Sequence, residues 1–566
     1  MKVLGIHHSG PISSAALVVD GRVVAGSPQE RFSRVKHDDR FPHDAIRFCL
    51  DHAGLTLDEL DSIAIGWNPG ENVALRYRRG FSEWMRYPGE WLASVPNQLL
   101  SRLHKPVVGS EGRFATADGR TVSIRYVDHH LSHARLAQVA GGFDDCVICV
   151  VDGWSEQKVT TVFRLRHGRL DIVRSKAFPH SIGAYYATMT EFLGYRAFSD
   201  EWRVMGMAAY GDPSRVPDLS RLIQVQPDGD YELDLSFFDF YNFDRAGSFG
   251  RKLEGLLGPA RTRDEPLSQR HFDIAAAVQA LFERVMVHVL AAAQAETGCE
   301  DLCLAGGAAM NCLFNGRIVS STPFRRCRVS FAPDDSGNAI GAALAVTADT
   351  MSLPAQQLSS SIGPSFSDED IGAALERYKL RAERPADLVP AVARLLKEGQ
   401  VVGWMQGRSE FGQRALGHRS ILASPLVPNM KERINVTVKF RESYRPYAPA
   451  LPQSAVPAYF DGSDAEPVRF MEKAYRFRSD VAAKLPVVVH ADGTGRLQTV
   501  GDDEPLFLQL LNRFGECSGH PVLVNTSFNL NDEPIVCSPD DALRTFVTSG
   551  MDALAIGNLL LRKGAL

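Results

Sequence analysis

The stretch Leu302–Asn311, LCLAGGAAMN, reads as a buried strand running into paired glycines, small residues and an asparagine. Paired glycines let a backbone approach a ligand closely, and a helix N-terminus after them favours phosphate. Gly306, Gly307 and Asn311 are therefore nucleotide-site candidates. Two more glycine-bounded turns lie upstream. Met1–Ile6 and Ala15–Val24 are apolar and β-branched, flank a loop, and continue through Asp20–Gly21 into Arg22–Gly26 as a hairpin would. The apolar run Cys146–Val151 ends in Asp152 and Gly153, which adds Gly153 to the nucleotide candidates. Between these turns the pattern alternates. Asp44–Ala53 and Phe272–Thr297 read as helices, and Asp61–Gly66 and Asp301–Ala305 as strands, which indicates α/β architecture. No Walker motif and no strand-linked G-x-G-x-x-G is present.

Three glycine-bounded loops on an α/β core suggest the actin-like ATPase (ASKHA) fold shared by sugar kinases and heat-shock ATPases. The Ser-, Pro- and Gln-rich stretch Ser352–Ser367 breaks the pattern, so we place a linker at 353–367 between domains 1–352 and 368–566. The second domain is again mixed α/β, with a helix at Asp387–Glu398 and a strand at Val401–Trp404.

The chain has 566 residues, 45% of them hydrophobic, and 62 Lys plus Arg against 67 Asp plus Glu leave a net charge of −5. This excludes a disordered chain and gives no basic excess for a duplex nucleic-acid binder. No run of about 18 apolar residues suggests a membrane span. The start MKVLGIHHSG lacks secretory features, and nine scattered cysteines do not form a disulfide framework, so a cytoplasmic protein is expected. Cys146 and Cys149 fit an apolar strand as core thiols.

Tyr126–Ala134 reads YVDHHLSHA, with His129 and His133 four apart on one helical face and His130 turned about 100° away. Imidazoles at this spacing can close on one metal. Asp152, at a strand end, and Asp334 or Asp335, at a loop-to-helix junction before Asn338–Ala345, are placed to complete a two-histidine, two-carboxylate set. Mixed N and O ligands suit Fe(II), Mn(II) or Zn(II) better than Ca(II). As plain structure, Asp152 is a turn residue and Asp334 or Asp335 an N-cap.

Further on, GRSEFGQRALGHRS (407–420) and KFRESYR (439–445) gather Arg408, Arg414, Arg419, Lys439, Arg441 and Arg445 among glycines and strand-formers. Arg496 in ADGTGRLQTV and Asn525, Thr526, Ser527 and Asn529 in VNTSFN follow. Arginine offers bidentate contacts to phosphate or carboxylate, and lysine a point charge, so an anion pocket is expected.

These segments resemble the natural-product O-carbamoyltransferases: the tobramycin, ansamycin, novobiocin, cephamycin and nodulation carbamoyltransferases. The likeness spans nearly the whole chain. It rests on QERFSRVKHDDRFP (29–42), DHHLSHA (128–134), VVDGW (150–154), EWRVMGMAAYG (201–211), LAGGAAMNC (304–312), GRSEFGQRALGHRSIL (407–422), VKFRESYRPYAP (438–449), DGTGRLQTV (492–500) and NTSFNLNDEPIV (525–536). The resemblance implies a C-terminal YrdC-like α/β domain that forms carbamoyl adenylate from carbamoyl phosphate and ATP, with Mg²⁺ accompanying the ATP. It implies an N-terminal actin-like domain that transfers the carbamoyl group to an acceptor hydroxyl with a bound metal, usually iron. By motif, His129, His133 and Asp152 match its metal ligands, and D-x-G-x-A-x-G-A-A selects Asp335 as the fourth. Arg414, Lys439 and Arg445 match residues that hold the adenylate phosphate region. Arg496 and Ser527 lie in matching motifs, and Arg408 and Asn525 complete the substrate-binding candidates.

One departure stands out. The family carries His-Asp shortly before S/A-A-A-L of the first hairpin, and that His is its candidate general base. Here HHSGPISSAAL puts Pro11 at that position, and His7 or His8 fills the role if the loop is lengthened. The family's Lys in EWRVMG is Arg203 here, which keeps the charge. The acceptor is expected to be a hydroxylated small molecule such as a macrolide, ansamycin or aminoglycoside. Trp67, Trp84, Tyr87, Trp91 and Arg76–Arg79 are candidates to meet it. A homodimer is compatible with the sequence. The competing reading is a catalytically silent, nucleotide-binding regulatory protein of the same fold.

Overall fold

Apolar, β-branched runs that lie between two parallel neighbours must be buried on both faces, and they read as continuous hydrophobic stretches. The decisive stretch behaves this way in the computed structural model, which describes residues 1–68, 111–115, 119–241, 247–462 and 466–564. Trp84, Tyr87, Trp91 and Arg76–Arg79 lie outside the described residues.

The chain divides into two compact units. The first comprises Met1–Gly26, Asp39–Met310 and Ile318–Leu358. The second comprises Ser27–Asp38, Asn311–Arg317 and Ser359–Leu566. A single cut near residue 352 therefore does not describe the division. Two short pieces of the N-terminal half belong to the second unit, because their side chains anchor there. Arg31 donates to the Gly412 carbonyl, and Arg34 to the Pro534 and Ile535 carbonyls. Asn315 donates to the Glu472 carbonyl.

The first unit holds two sheets of the same plan. In one, β1 (Lys2–His7), β2 (Ser14–Val19) and β3 (Arg22–Pro28) form a meander, and β4 (Ser62–Ile65) and β6 (Thr121–Tyr126) add in parallel beside β1, with β5 (Glu111–Ala115) at the edge. In the other, β7 (Asp145–Val151), β8 (Lys158–Arg166) and β9 (Arg169–Ala177) form the meander. There β12 (Asp301–Ala305) and β13 (Arg326–Val329) add in parallel beside β7. A small hairpin, β10 (Ile223–Val225) with β11 (Tyr231–Leu233), stands apart. Two meanders extended in parallel on the first strand's side are a structural duplication, the architecture of the actin-like ATPase fold. Sequence alone shows no repeat, because strand order constrains burial pattern rather than residue identity.

The helices His129–Gly141 and Asn338–Ala348 follow the last parallel strand of each sheet and pack on one another. Small residues permit the close approach. A Cβ on Gly341 would lie 1.8 Å from the Ser132 carbonyl oxygen. Gln269–Thr297 is long and apolar enough to cross a membrane, yet 67% of its apolar window is buried inside the structure, as befits a core helix. Cys146 and Cys149 are buried and free, as expected of core thiols.

The second unit is built on an eight-stranded mixed sheet. Its strands are β14 (Val402–Met405), β15 (Arg419–Ala423), β16 (Ala448–Pro452), β17 (Lys473–Arg476), β18 (Thr494–Val500), β19 (Leu523–Ser527), β20 (Ala553–Ile556) and β21 (Leu559–Arg562). Their order is β17-β18-β16-β19-β15-β14-β20-β21. The helices Leu388–Lys397 and Pro505–Ser518 bury apolar faces that include Leu396, Phe507 and Phe514 with Trp404 of β14.

Candidate functional site

In the first unit, Asp128 caps the helix His129–Gly141 by accepting from the Leu131 amide at 2.8 Å, and Lys158 holds the Asp128 carboxylate at 2.6 Å. The cap fixes where the helix starts, so His129 and His133 share the face that meets the ends of β7 and the loop after β13. His130 turns away to Thr161 Oγ1 at 2.7 Å, as its helical phase requires.

The ligand atoms of His129, His133, Asp152 and Asp335 converge within 4.8 Å of one another. His133 Nε2 lies 3.0 Å from Asp152 Oδ2 and 3.4 Å from Asp335 Oδ1. His129 Nε2 lies 3.4 Å from Asp152 Oδ2, 3.3 Å from Asp335 Oδ1 and 3.2 Å from His133 Nε2. Metal–ligand bonds of about 2.1 Å in tetrahedral arrangement give ligand–ligand edges of about 3.4 Å. The donor set and its spacing thus fit a divalent ion of the Fe, Mn or Zn type. Burial by itself drives both imidazoles towards the neutral form. The carboxylates of Asp152 and Asp335 outweigh it and raise both. Burial likewise disfavours the Asp335 carboxylate, yet His129 and His133 hold it well below the usual range. Asp334, the alternative in the sequence, instead accepts from Ser336 Oγ at 2.6 Å.

Partners that the motifs did not single out orient these ligands. The Asn338 amide nitrogen lies 3.1 Å from His129 Nδ1 and 3.1 Å from His133 Nε2. Glu156 accepts the His129 backbone N–H at 3.1 Å and that of Asn68 at 2.7 Å. The Trp67 ring packs edge-on against His129, with centroids 5.2 Å apart. Of the two N-terminal histidines, His7 is fully buried, with Nε2 3.8 Å from Asp335 Oδ2. Burial lowers the His7 pKa to about 4 against the pull of Asp335. His8 is exposed and packs on Phe41.

The glycine pair lies against β7 and Asp152. Gly306 has φ +86°, and a Cβ there would meet the Val151 carbonyl oxygen at 2.2 Å, so it exists to seat the end of β12 against β7. A Cβ on Gly307 would lie 3.2 Å from Asp152 Oδ1, and Gly153 donates its N–H to Asp152 Oδ1 at 2.7 Å. A 3-10 turn, Gly307–Met310, follows, then the four-residue helix Cys312–Asn315, whose first turn Asn311 caps through the Phe314 amide at 3.1 Å. The helical turns after Gly307 are thus short, and Asn311 belongs to the second unit.

In the second unit Lys439 is 5% exposed and bonds only to neutral acceptors. These are Ser527 Oγ at 3.2 Å, the Asn529 carbonyl at 3.0 Å, Asn529 Oδ1 at 2.6 Å and the Ser527 carbonyl. Burial, then Arg441, Arg445 and Lys36, pull the Lys439 pKa well below that of a free lysine. Arg496 is also crowded. Burial and then Arg414, Arg441 and Arg445 lower it to about 9, and its buried Nε has no partner. Arg445 thus acts on both Lys439 and Arg496, and Arg414 on Arg496. Arg441 joins them, stacked 4.0 Å over Tyr447. Lys36 was missed, although QERFSRVKHDDRFP carried it, because only folding places residues 27–38 here. Arg408 engages the carbonyls of Ile362 and Gly363. Asn525 is buried in β19, donating to the Ala415 carbonyl at 3.2 Å and Gln498 Oε1 at 2.7 Å. These two support the sheet and its loops, a role that motif membership does not distinguish from ligand contact.

The chain is thus a two-unit α/β protein with a candidate transition-metal centre in one unit and a cluster of cations around the buried Lys439 in the other. It belongs to the carbamoyltransferase family: the carbamoyltransferase N-terminus model matches residues 2–344 and the C-terminus model residues 393–563. Among relatives, the uncharacterized protein sll1178 of Synechocystis is 34% identical, covering 100% of this chain and 97% of that protein. Nodulation protein NolNO of Sinorhizobium fredii is 36% identical over 97% of this chain and 78% of its own length. Among solved structures, the activator of 2-hydroxyisocaproyl-CoA dehydratase from Clostridium difficile, with bound ADPNP, is similar over 62% of this chain and 95% of its own, at 11% identity and TM-score 0.31.

Proposed function

We propose that this carbamoyltransferase is a cytoplasmic, ATP-dependent O-carbamoyltransferase that uses carbamoyl phosphate. The observation that carries this reading is the buried Lys439 ammonium, bonded to neutral acceptors and repelled by Arg441, Arg445 and Lys36. Such a cluster is costly when empty and favourable around a highly anionic ligand. Carbamoyl phosphate and the triphosphate of ATP with its Mg²⁺ supply that charge.

Water cleaves carbamoyl phosphate to carbamate and inorganic phosphate. A carbamate oxygen attacks the α-phosphorus of ATP, forming carbamoyl adenylate and releasing pyrophosphate. The acceptor hydroxyl then attacks the carbamoyl carbon, its proton passes to a base, and AMP leaves. In the second unit Lys439, Arg414, Arg445 and Arg496 offset charge on the phosphates and on the pentacoordinate transition state. In the first unit His129, His133, Asp152 and Asp335 would hold Fe(II), or Mn(II) or Zn(II), a Lewis acid able to polarise a carbonyl or orient a phosphate. His7, buried beside Asp335, is better placed than the exposed His8 to meet the acceptor proton. The acceptor itself is a hydroxylated small molecule.

The test is product analysis with purified protein, ATP, carbamoyl phosphate and a panel of hydroxylated acceptors. AMP, pyrophosphate and a carbamate ester are expected. ADP as the sole nucleotide product overturns the reading. ATP binding with no carbamoyl-phosphate-dependent pyrophosphate release would favour the silent regulatory alternative.

A further inference from the structure

Near Arg496 stands a buried ring nitrogen of the wrong polarity for an anion, that of His490. His490 stands just before β18, and its backbone N–H donates to the Thr494 carbonyl at 2.7 Å. Its ring nitrogen Nδ1 lies 3.0 Å from Thr494 Oγ1. Thr494 Oγ1 in turn lies 2.7 Å from Asp492 Oδ1, which also accepts the Thr494 amide at 3.0 Å. These contacts decide the tautomer. A carboxylate can only accept, so the single hydroxyl proton of Thr494 goes to Asp492. The Thr494 oxygen is left as an acceptor for His490 Nδ1–H. The proton is therefore on Nδ1, and Nε2 carries a bare lone pair.

That Nε2 is buried and has no hydrogen-bond partner. Thr494 and Arg496 are two apart on β18, so their side chains share a face. His490, held on Thr494, thus belongs to the Arg496 side of the sheet, where the Arg496 Nε is a buried donor without a partner. Burial, opposed by Asp492 and aided by Arg496 and Lys431, lowers the His490 pKa to about 4, in keeping with a neutral ring. A bare ring acceptor cannot serve a phosphate, whose oxygens only accept at this site. It can serve an N–H.

We infer that His490 reads the amide nitrogen of the carbamoyl group: Nε2 accepts an N–H of the substrate and so distinguishes carbamoyl from acetyl phosphate. The inference rests on the proposed use of carbamoyl phosphate and names the residue that selects for it. Acetyl phosphate has a methyl group in place of the amide, cannot donate, and leaves Nε2 unpaired, which a buried site penalises.

The experiment measures pyrophosphate release by the full-length protein with carbamoyl phosphate and with acetyl phosphate. The parent should favour carbamoyl phosphate by about 100-fold or more in kcat/KM, as sites built to bond an N–H reject analogues that lack it. His490→Phe keeps the ring's bulk without the acceptor. It should lower kcat/KM for carbamoyl phosphate by about 10- to 100-fold, leave acetyl phosphate within about threefold, and so erase most of the preference. Thr494→Val, which frees the tautomer, should weaken the preference by a smaller factor. Unchanged discrimination in a folded His490→Phe protein overturns the inference and leaves the proposed function standing. A parent that uses both phosphates equally well overturns it without any variant. A parent with no carbamoyl-phosphate-dependent pyrophosphate release overturns the proposed function itself, and this inference with it.

Discussion

Replacing Lys439 by methionine separates a structural lysine from a ligand-binding one. The ammonium is buried, its partners are all uncharged, and Arg441, Arg445 and Lys36 repel it. Methionine removes that buried cation at similar length. The lost lysine releases the Ser527 and Asn529 acceptors, but Ser527 Oγ already donates to Asn529 Oδ1 at 2.7 Å, so one of them stays paired. An unsatisfied acceptor costs about 1–3 kcal/mol and a buried unpaired cation several, so the two effects roughly cancel. Ligand-free Lys439→Met should therefore unfold in urea within about 1 kcal/mol of the parent, or above it.

Binding should respond differently. A charge-assisted hydrogen bond contributes about 1.5–3 kcal/mol, so the pyrophosphate Kd should weaken by roughly 10- to 150-fold. At a concentration 100 times the parent's Kd, ligand adds about 2.7 kcal/mol to the parent's stability. A 100-fold weaker variant gains only about 0.4 kcal/mol under the same condition. Urea unfolding with and without pyrophosphate, and calorimetric titration, measure both. The pH dependence follows from the lowered pKa. Between it and the unfolded lysine's value the unfolded chain binds more protons, so parent stability rises with pH through this window, and Lys439→Met flattens the rise. A variant destabilised by about 3 kcal/mol or more that keeps the parent's response to pyrophosphate would refute the reasoning and make Lys439 a structural pin.

Chelation of the metal, or His129→Ala, should abolish carbamate-ester formation and bound metal measured by elemental analysis, while carbamoyl-phosphate-dependent pyrophosphate release persists. Equal loss of both activities would place the two half-reactions in one site. Gly341→Val puts side-chain atoms against the Ser132 carbonyl, 1.8 Å from where its Cβ must lie, and should cost about 3 kcal/mol or more in denaturant unfolding while lowering metal content, because Ser132 sits between the histidines. Burial raises the Glu201 pKa to about 7, so stability present below about pH 4.5 is lost as pH rises through 7; Glu201→Gln should flatten unfolding free energy between pH 5 and 8, by at most about 3 kcal/mol.

Much of this was legible in the chain itself, for reasons local to each segment. The strand preceding Gly306 and the helix after Asp335 are written in burial pattern and residue size, and both formed where read. The histidine pair was legible because helical phase depends only on spacing, which also turned His130 away. The cations of 414–445 were legible as a local excess of charge in an apolar context. Nothing local separates Arg408, bonded to loop carbonyls, from Arg414, since both sit in one glycine-rich block.

The sequence by itself determined the α/β alternation, the family and the residue types at both sites, because these depend on patterns within a few residues. Only the tertiary structure decided which groups meet. It showed the duplicated sheets, set His7 beside Asp335 and His8 in solvent, and used Gly306 to seat a strand end against its neighbour. It also brought Lys36 into the second unit and left His490 Nε2 as a buried acceptor without a partner. Each is a contact between segments distant in the chain or a competition for one proton, and spacing along a sequence carries no information about either.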